Sequence, residues 1–122
     1  MSTLKVDTLQ TTGGAGLYPA QSWVNFNGTG TVAIRADGDV SSITDVGTGS
    51  YGINFSNSLT DANYSPNVTG QGHSSGAHCI AHLFQSTATN SVNPTSSGYN
   101  FIGLNWNNGT YDYGYLCCST TR

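Results

Sequence analysis

The dominant periodicity along the chain is two. In Trp23-Val24-Asn25-Phe26-Asn27, Val24 and Phe26 fall on one side and Trp23 and Asn25 on the other. Tyr51, Ile53 and Phe55 alternate in the same way with Gly52 and Asn54. Such alternation describes a strand with one face in a core and the other toward water. The stretch Tyr99, Phe101, Gly103 and Asn105 alternates with Asn100, Ile102, Leu104 and Trp106. Asn107-Asn108-Gly109 is predicted to turn this strand into a hairpin partner in which Tyr111, Tyr113, Tyr115 and Cys117 share a face. Further strands are expected over residues 4–9, 31–36 (Val32, Ile34 and Ala36 on one face), 40–46, 61–68 and 77–84. Pro66 has no N–H to donate, which places the 61–68 strand at a sheet edge or makes it end there.

Turn chemistry separates these segments. Asn27-Gly28 can adopt the positive φ of primed hairpin turns, Asp37-Gly38-Asp39 reads as a tight turn, and Gly47-Thr48-Gly49-Ser50 joins two hairpin arms. No segment of ten or more residues carries a helical period. The expected fold is all-β, a small antiparallel β-sandwich or jelly-roll-like domain over residues 21–122. Residues 1–20 form an N-terminal strand followed by a Gly-rich linker or attachment segment.

Composition narrows the function classes. Of 122 residues only nine are Lys, Arg, Asp or Glu, and Glu is absent, while Gly, Thr, Ser and Asn make up 59. Three cationic residues cannot form the basic stripe of a nucleic-acid binder. The shortage of Glu, Lys, Ala and Leu excludes helical bundles and coiled coils. The aromatic content of 11% argues against disorder. The first twenty residues contain no apolar run, so neither a signal peptide nor membrane insertion is expected, and synthesis in a cytosol follows. Cys79, Cys117 and Cys118 are too few and odd in number for a disulfide framework. Adjacent Cys117 and Cys118 should point to opposite faces, one buried and one toward solvent or a neighbouring subunit. The Asn-X-Ser/Thr triplets are chance matches in so Asn- and Thr-rich a chain.

Sites that could carry chemistry are few. His78 and His82 would share one face of a strand, but about 13 Å apart, too far to hold one ion within a chain. Copies of either around a trimer axis could meet in a polar cluster. Asp37-Gly38-Asp39 lacks the further oxygens calcium needs. Six Asp with no paired motif argue against a hydrolase, so no enzyme, metal or cofactor is expected. Trp106, Asn107, Asn108, Tyr111 and Tyr113 combine aromatic rings with amides and could contact a glycan receptor. The same tyrosines could equally form the buried face of a strand or a subunit contact. Residues 70–76 and 86–97 are polar loops, the latter long enough to invite a functional role.

Two stretches resemble a known family. Ser2-Thr3-Leu4-Lys5-Val6-Asp7-Thr8-Leu9-Gln10-Thr11 and Ala20-Gln21-Ser22-Trp23-Val24-Asn25-Phe26-Asn27-Gly28-Thr29-Gly30-Thr31-Val32-Ala33-Ile34-Arg35 are similar to tail-fibre-like virion proteins of tailed bacteriophages, marine ones in particular. The resemblance runs on through Asn54-Phe55 and Asp61-Ala62-Asn63-Tyr64 and covers about the first half of the chain. It implies a structural β module on the virion, assembled in the host cytoplasm, homotrimeric and in contact with other virion proteins and the host surface. The short, stand-alone length fits a capsid decoration protein as an alternative to a fibre tip. An uncharged hydroxyl and amide surface suits a particle exposed to variable salt, because it does not depend on screened charge pairs.

Overall fold

A computed structural model of the chain describes residues 2–14, 16, 19–71, 80–83, 94–105 and 107–122. Eight strands appear among them: β1 (Ala20–Asn27), β2 (Ala33–Gly38), β3 (Val40–Gly47), β4 (Ser50–Phe55), β5 (Ser65–Gly70), β6 (Ile80–Leu83), β7 (Gly98–Leu104) and β8 (Leu116–Thr121). No helix occurs among the described residues. The strands form two antiparallel sheets, ordered β2-β1-β8-β5 and β3-β4-β7-β6. The chain changes sheet at β2–β3, β4–β5, β5–β6 and β7–β8, so the two layers are wound from one strand path. The all-β sandwich expected from the alternation is the fold observed.

The core lies between the sheets and is mainly aromatic. Phe26, Tyr51 and Phe101 make one cluster, with ring centroids 5.3 to 6.4 Å apart. Phe55, Tyr64 and Tyr99 make a second, at 5.6 to 6.2 Å. Val24, Val40, Ile53, Leu116 and Cys118 fill the space around them. Edge-to-face ring pairs add to the hydrophobic gain of burial, which helps a domain with so small an aliphatic complement. Ser22 and Thr120 are also buried, and their hydroxyls satisfy each other at 2.7 Å. Pro66 sits in the edge strand β5, as its missing N–H requires.

Several local expectations are corrected. The leading segment, residues 4–9, is not a strand: it pairs with no strand among the described residues, and Leu4, Val6 and Leu9 are 84, 54 and 48% exposed. A single extended segment without a sheet edge to join cannot repay its ordering entropy. The glycines after it do form a turn, closed by a Gln10–Gly16 bridge, with Gly14 at φ +83. In β2 the register against β1 slips between Asn25 and Phe26, so Phe26 faces Ile34 while Asn25 faces Ala36. Arg35 is the extra residue of this bulge, and the phase changes across it: Ile34 is half-buried and Ala36 exposed.

The predicted final hairpin also differs. A bridge joins Leu104 to Thr110, but the chain then leaves the β3-β4-β7-β6 sheet and enters the other as β8. The alternation breaks at Gly114: Tyr113 is 2% exposed, Tyr115 is 45% exposed, and Leu116, Cys118 and Thr120 point inward. Cys118 is therefore the buried thiol and Cys117 the half-buried one on the outer face.

Candidate functional site

The corner where β7 gives way to β8 holds most of the residues singled out for glycan contact. Asn105 organises the turn: its side-chain oxygen accepts from the backbone N–H groups of Asn107 (3.0 Å) and Gly109 (2.8 Å). Asn108 takes φ +58, a left-handed conformation that Asn tolerates. Asn107 and Asn108 are exposed at this tip, whereas Tyr111 is half-buried and Tyr113 fully buried. The Tyr113 hydroxyl donates to Leu104 O at 2.7 Å, and its ring lies against that of Tyr111 at 5.5 Å. Trp106 lies outside the described residues.

Beneath the turn the polar groups are tied to one another. Asp112 Oδ1 accepts from Gly49 N at 2.7 Å and lies 2.8 Å from the Tyr51 hydroxyl, which is also 2.8 Å from Gly28 O. Two glycines make this possible. Gly49 has φ +70, and a Cβ there would sit 2.6 Å from Gly103 O. Gly28 is not in a left-handed conformation, and its role is close approach: a Cβ would lie 2.4 Å from the Tyr51 hydroxyl. The corner thus fastens the β3–β4 turn, the end of β1 and the crossover to β8. Tyr113 belongs to the core and presents no accessible ring.

The outer face of the β2-β1-β8-β5 sheet has a different character. Antiparallel register places Trp23 opposite Ser119 and Ser119 opposite Asn67. One step along, Asn25 faces Cys117 and Cys117 faces Thr69. A further step along brings Tyr115, whose carbonyl accepts from Gln71 N at 2.9 Å. The intervening residues Val24, Leu116, Cys118 and Thr120 are buried, so these rows necessarily point outward. Two depressions of about 360 and 370 Å³ open on this face and share Thr69 and Cys117.

Each end of that face carries an exposed aromatic ring. Trp23 is 44% exposed and lies against Gly38, where a Cβ would come within 3 Å of three indole atoms. Tyr115 is 45% exposed and carries the Arg35 guanidinium over its ring, 4.6 Å from the centroid. Arg35 reaches across β1 from the bulge in β2, donating to Asn25 Oδ1 at 3.2 Å and to Gly114 O. Asn25 in turn directs its amide at Cys117 Sγ, 3.5 Å away. The signal for this face was the outward half of the Trp23 alternation, but its partner rows come from β5 and β8, which no local pattern links to β1.

The remaining residues do not converge on chemistry. His82 is exposed on β6, opposite Ile102, and His78 lies outside the described residues, as do most of residues 70–76 and 86–97. Asp39, at φ +59, ends the β2–β3 connection, and its carboxylate accepts from the Asn57 amide at 2.6 Å. Among the described residues no three His, Cys, Asp or Glu side chains group as metal ligands. Burial pushes the Tyr64 phenol up to about 12, and burial together with the adjacent Cys118 thiol also raises Tyr99. Both belong to the core. Fold and surface together define a two-sheet β protein with one outward face of aromatic and amide side chains. Comparison of the chain with family models, curated proteins and solved structures finds no match.

Proposed function

We propose that the chain is a structural, non-enzymatic protein of a bacteriophage particle, a tail-fibre-like adhesin component that contacts the host surface as a homotrimer. The observation that carries this reading is the Ala20-to-Arg35 stretch, which resembles such virion proteins and also supplies β1, the β2 bulge, Trp23 and Arg35. The part of the sequence that looks like a virion module thus supplies one side of the outward face, and β5 and β8 supply the rest. Equivalent faces on three copies would act together through high effective concentration, so weak individual contacts suffice. Immunogold labelling of intact particles tests the proposal: label at the tail supports it, and particles without label overturn it.

A second reading is favoured by the N-terminal segment. Leu4, Val6 and Leu9 expose apolar side chains that the chain itself does not cover. A capsid decoration protein that clamps neighbouring shell subunits would use such an arm. Label distributed over the shell would select this reading, and removal of residues 2–9 would then release the protein from particles without unfolding it.

A further inference from the structure

The face between Trp23 and Tyr115 is long, shallow and anchored at both ends by rings. From the Ser119 row to Tyr115 is four residues along one strand, about 13 Å, and the two depressions between them are continuous through Thr69 and Cys117. That shape suits an extended ligand better than a compact one. Its chemistry suits a polyhydroxylated ligand, since Asn67, Gln71, Thr69 and Ser119 offer donors and acceptors while Trp23 offers a flat apolar surface.

Charge identifies the ligand more closely. None of the residues lining the two depressions is acidic. Arg35 stands at one end, held by Asn25, Gly114 and the Tyr115 ring, and among the described residues it forms no ion pair with a carboxylate. Arg122, by contrast, is paired with Asp61 at 2.8 Å. A guanidinium has five N–H donors in a planar fork and is weakly hydrated, which makes it selective for planar oxyanions. Its stacking on Tyr115 fixes it in place before any ligand arrives. The geometry points to an acidic oligosaccharide as the occupant, its sugar rings lying on Trp23 and a sugar carboxylate meeting Arg35. This inference rests on the host-attachment reading and gives it a ligand class.

The test uses the purified chain with Trp106→Phe, so that tryptophan emission reports Trp23 alone. It is titrated with oligogalacturonate and, as an uncharged comparator, maltohexaose. Oligogalacturonate is expected to change Trp23 emission, to bind at least about tenfold tighter than maltohexaose, and to weaken as salt is raised. Trp23→Ala and Arg35→Gln, titrated by isothermal calorimetry because the first leaves no tryptophan to report, should each cost about tenfold in affinity at unchanged far-ultraviolet circular dichroism, and Arg35→Lys should retain part of the binding. Equal affinity for the two sugars, binding of neither, or unchanged affinity in Trp23→Ala would each overturn the assignment. So would sedimentation showing that Trp23→Ala only dissociates an oligomer, because the face would then be an interface between copies. The binding measurement is independent of particle labelling. Sugar binding by a protein absent from particles overturns the proposed function, whereas a labelled tail protein that binds neither sugar overturns this inference alone.

Discussion

The corner around Asp112 and the outer face of the β2-β1-β8-β5 sheet are made from the same residue types, tyrosine or tryptophan beside asparagine and glycine. At the corner the groups beneath the exposed Asn107–Asn108 tip have protein partners: Asn105 holds its own turn, Tyr113 reaches Leu104 O, and Asp112 meets Gly49 and Tyr51. On the outer face Trp23 and Tyr115 keep nearly half of their surface exposed, and Arg35 is positioned without a carboxylate. An aromatic and amide composition therefore describes a potential binding site only when its polar groups are not already engaged in holding the fold. The corner is structural for that reason, and the face is available for recognition.

Perturbations should separate the two regions, beginning with the most severe. The interior phenols Tyr64 and Tyr99 titrate above the ordinary tyrosine value of about 10. Folding therefore favours their neutral form. The stability this contributes is fully present below about pH 10 and is lost as pH rises through the window toward about 12. Denaturant midpoints measured from neutral to alkaline pH should stay level and then fall steeply past about pH 10. At the corner, Tyr113→Ala should cost about 3–5 kcal/mol in urea unfolding, the range for truncating a buried aromatic side chain.

Gly49→Ala comes next, at about 1–3 kcal/mol, from the left-handed backbone and the approach to Gly103 O. Tyr51→Phe should cost about 1–2 kcal/mol by leaving Asp112 and Gly28 O without the hydroxyl. The mildest change belongs to the face: Asn67→Ala should shift stability by no more than about 0.5 kcal/mol, since the amide only makes a 3.4 Å contact with Ser65 O. An Asn67→Ala variant as destabilised as Tyr51→Phe would erase the distinction between the regions.

The strands were legible wherever inward and outward positions alternated without interruption, as in Trp23 to Asn27, Tyr51 to Phe55 and Tyr99 to Gly103. What was illegible depended on a second strand. The bulge at Arg35 changes phase because of its register against β1, and nothing in residues 31–36 alone announces it. The tyrosines at 111, 113 and 115 keep a strict alternation, yet the chain crosses between sheets there, so burial follows the crossover and ignores the period. Residues 4–9 alternate too, but a strand needs an edge to join. The outer face was half visible in Trp23 and Asn25, and its other half required the pairing of β8 with both β1 and β5.

That pairing also governs how the molecule can be made. The strand closest to the C-terminus, β8, lies in the interior of its sheet, and Ser22 meets Thr120 across 98 residues of sequence. Until β8 is present, β1 and β5 have no neighbour between them, and the core lacks the inward side chains Leu116, Cys118 and Thr120. Native contacts of such high sequence separation imply slow folding governed by loop-closure entropy, with unpaired strand edges exposed in the meantime. A chain emerging from the ribosome cannot fold progressively from its first residues. It must wait for β8 before the β2-β1-β8-β5 sheet can close, so deletion of residues 116–121 should be far more damaging than deletion of residues 2–9.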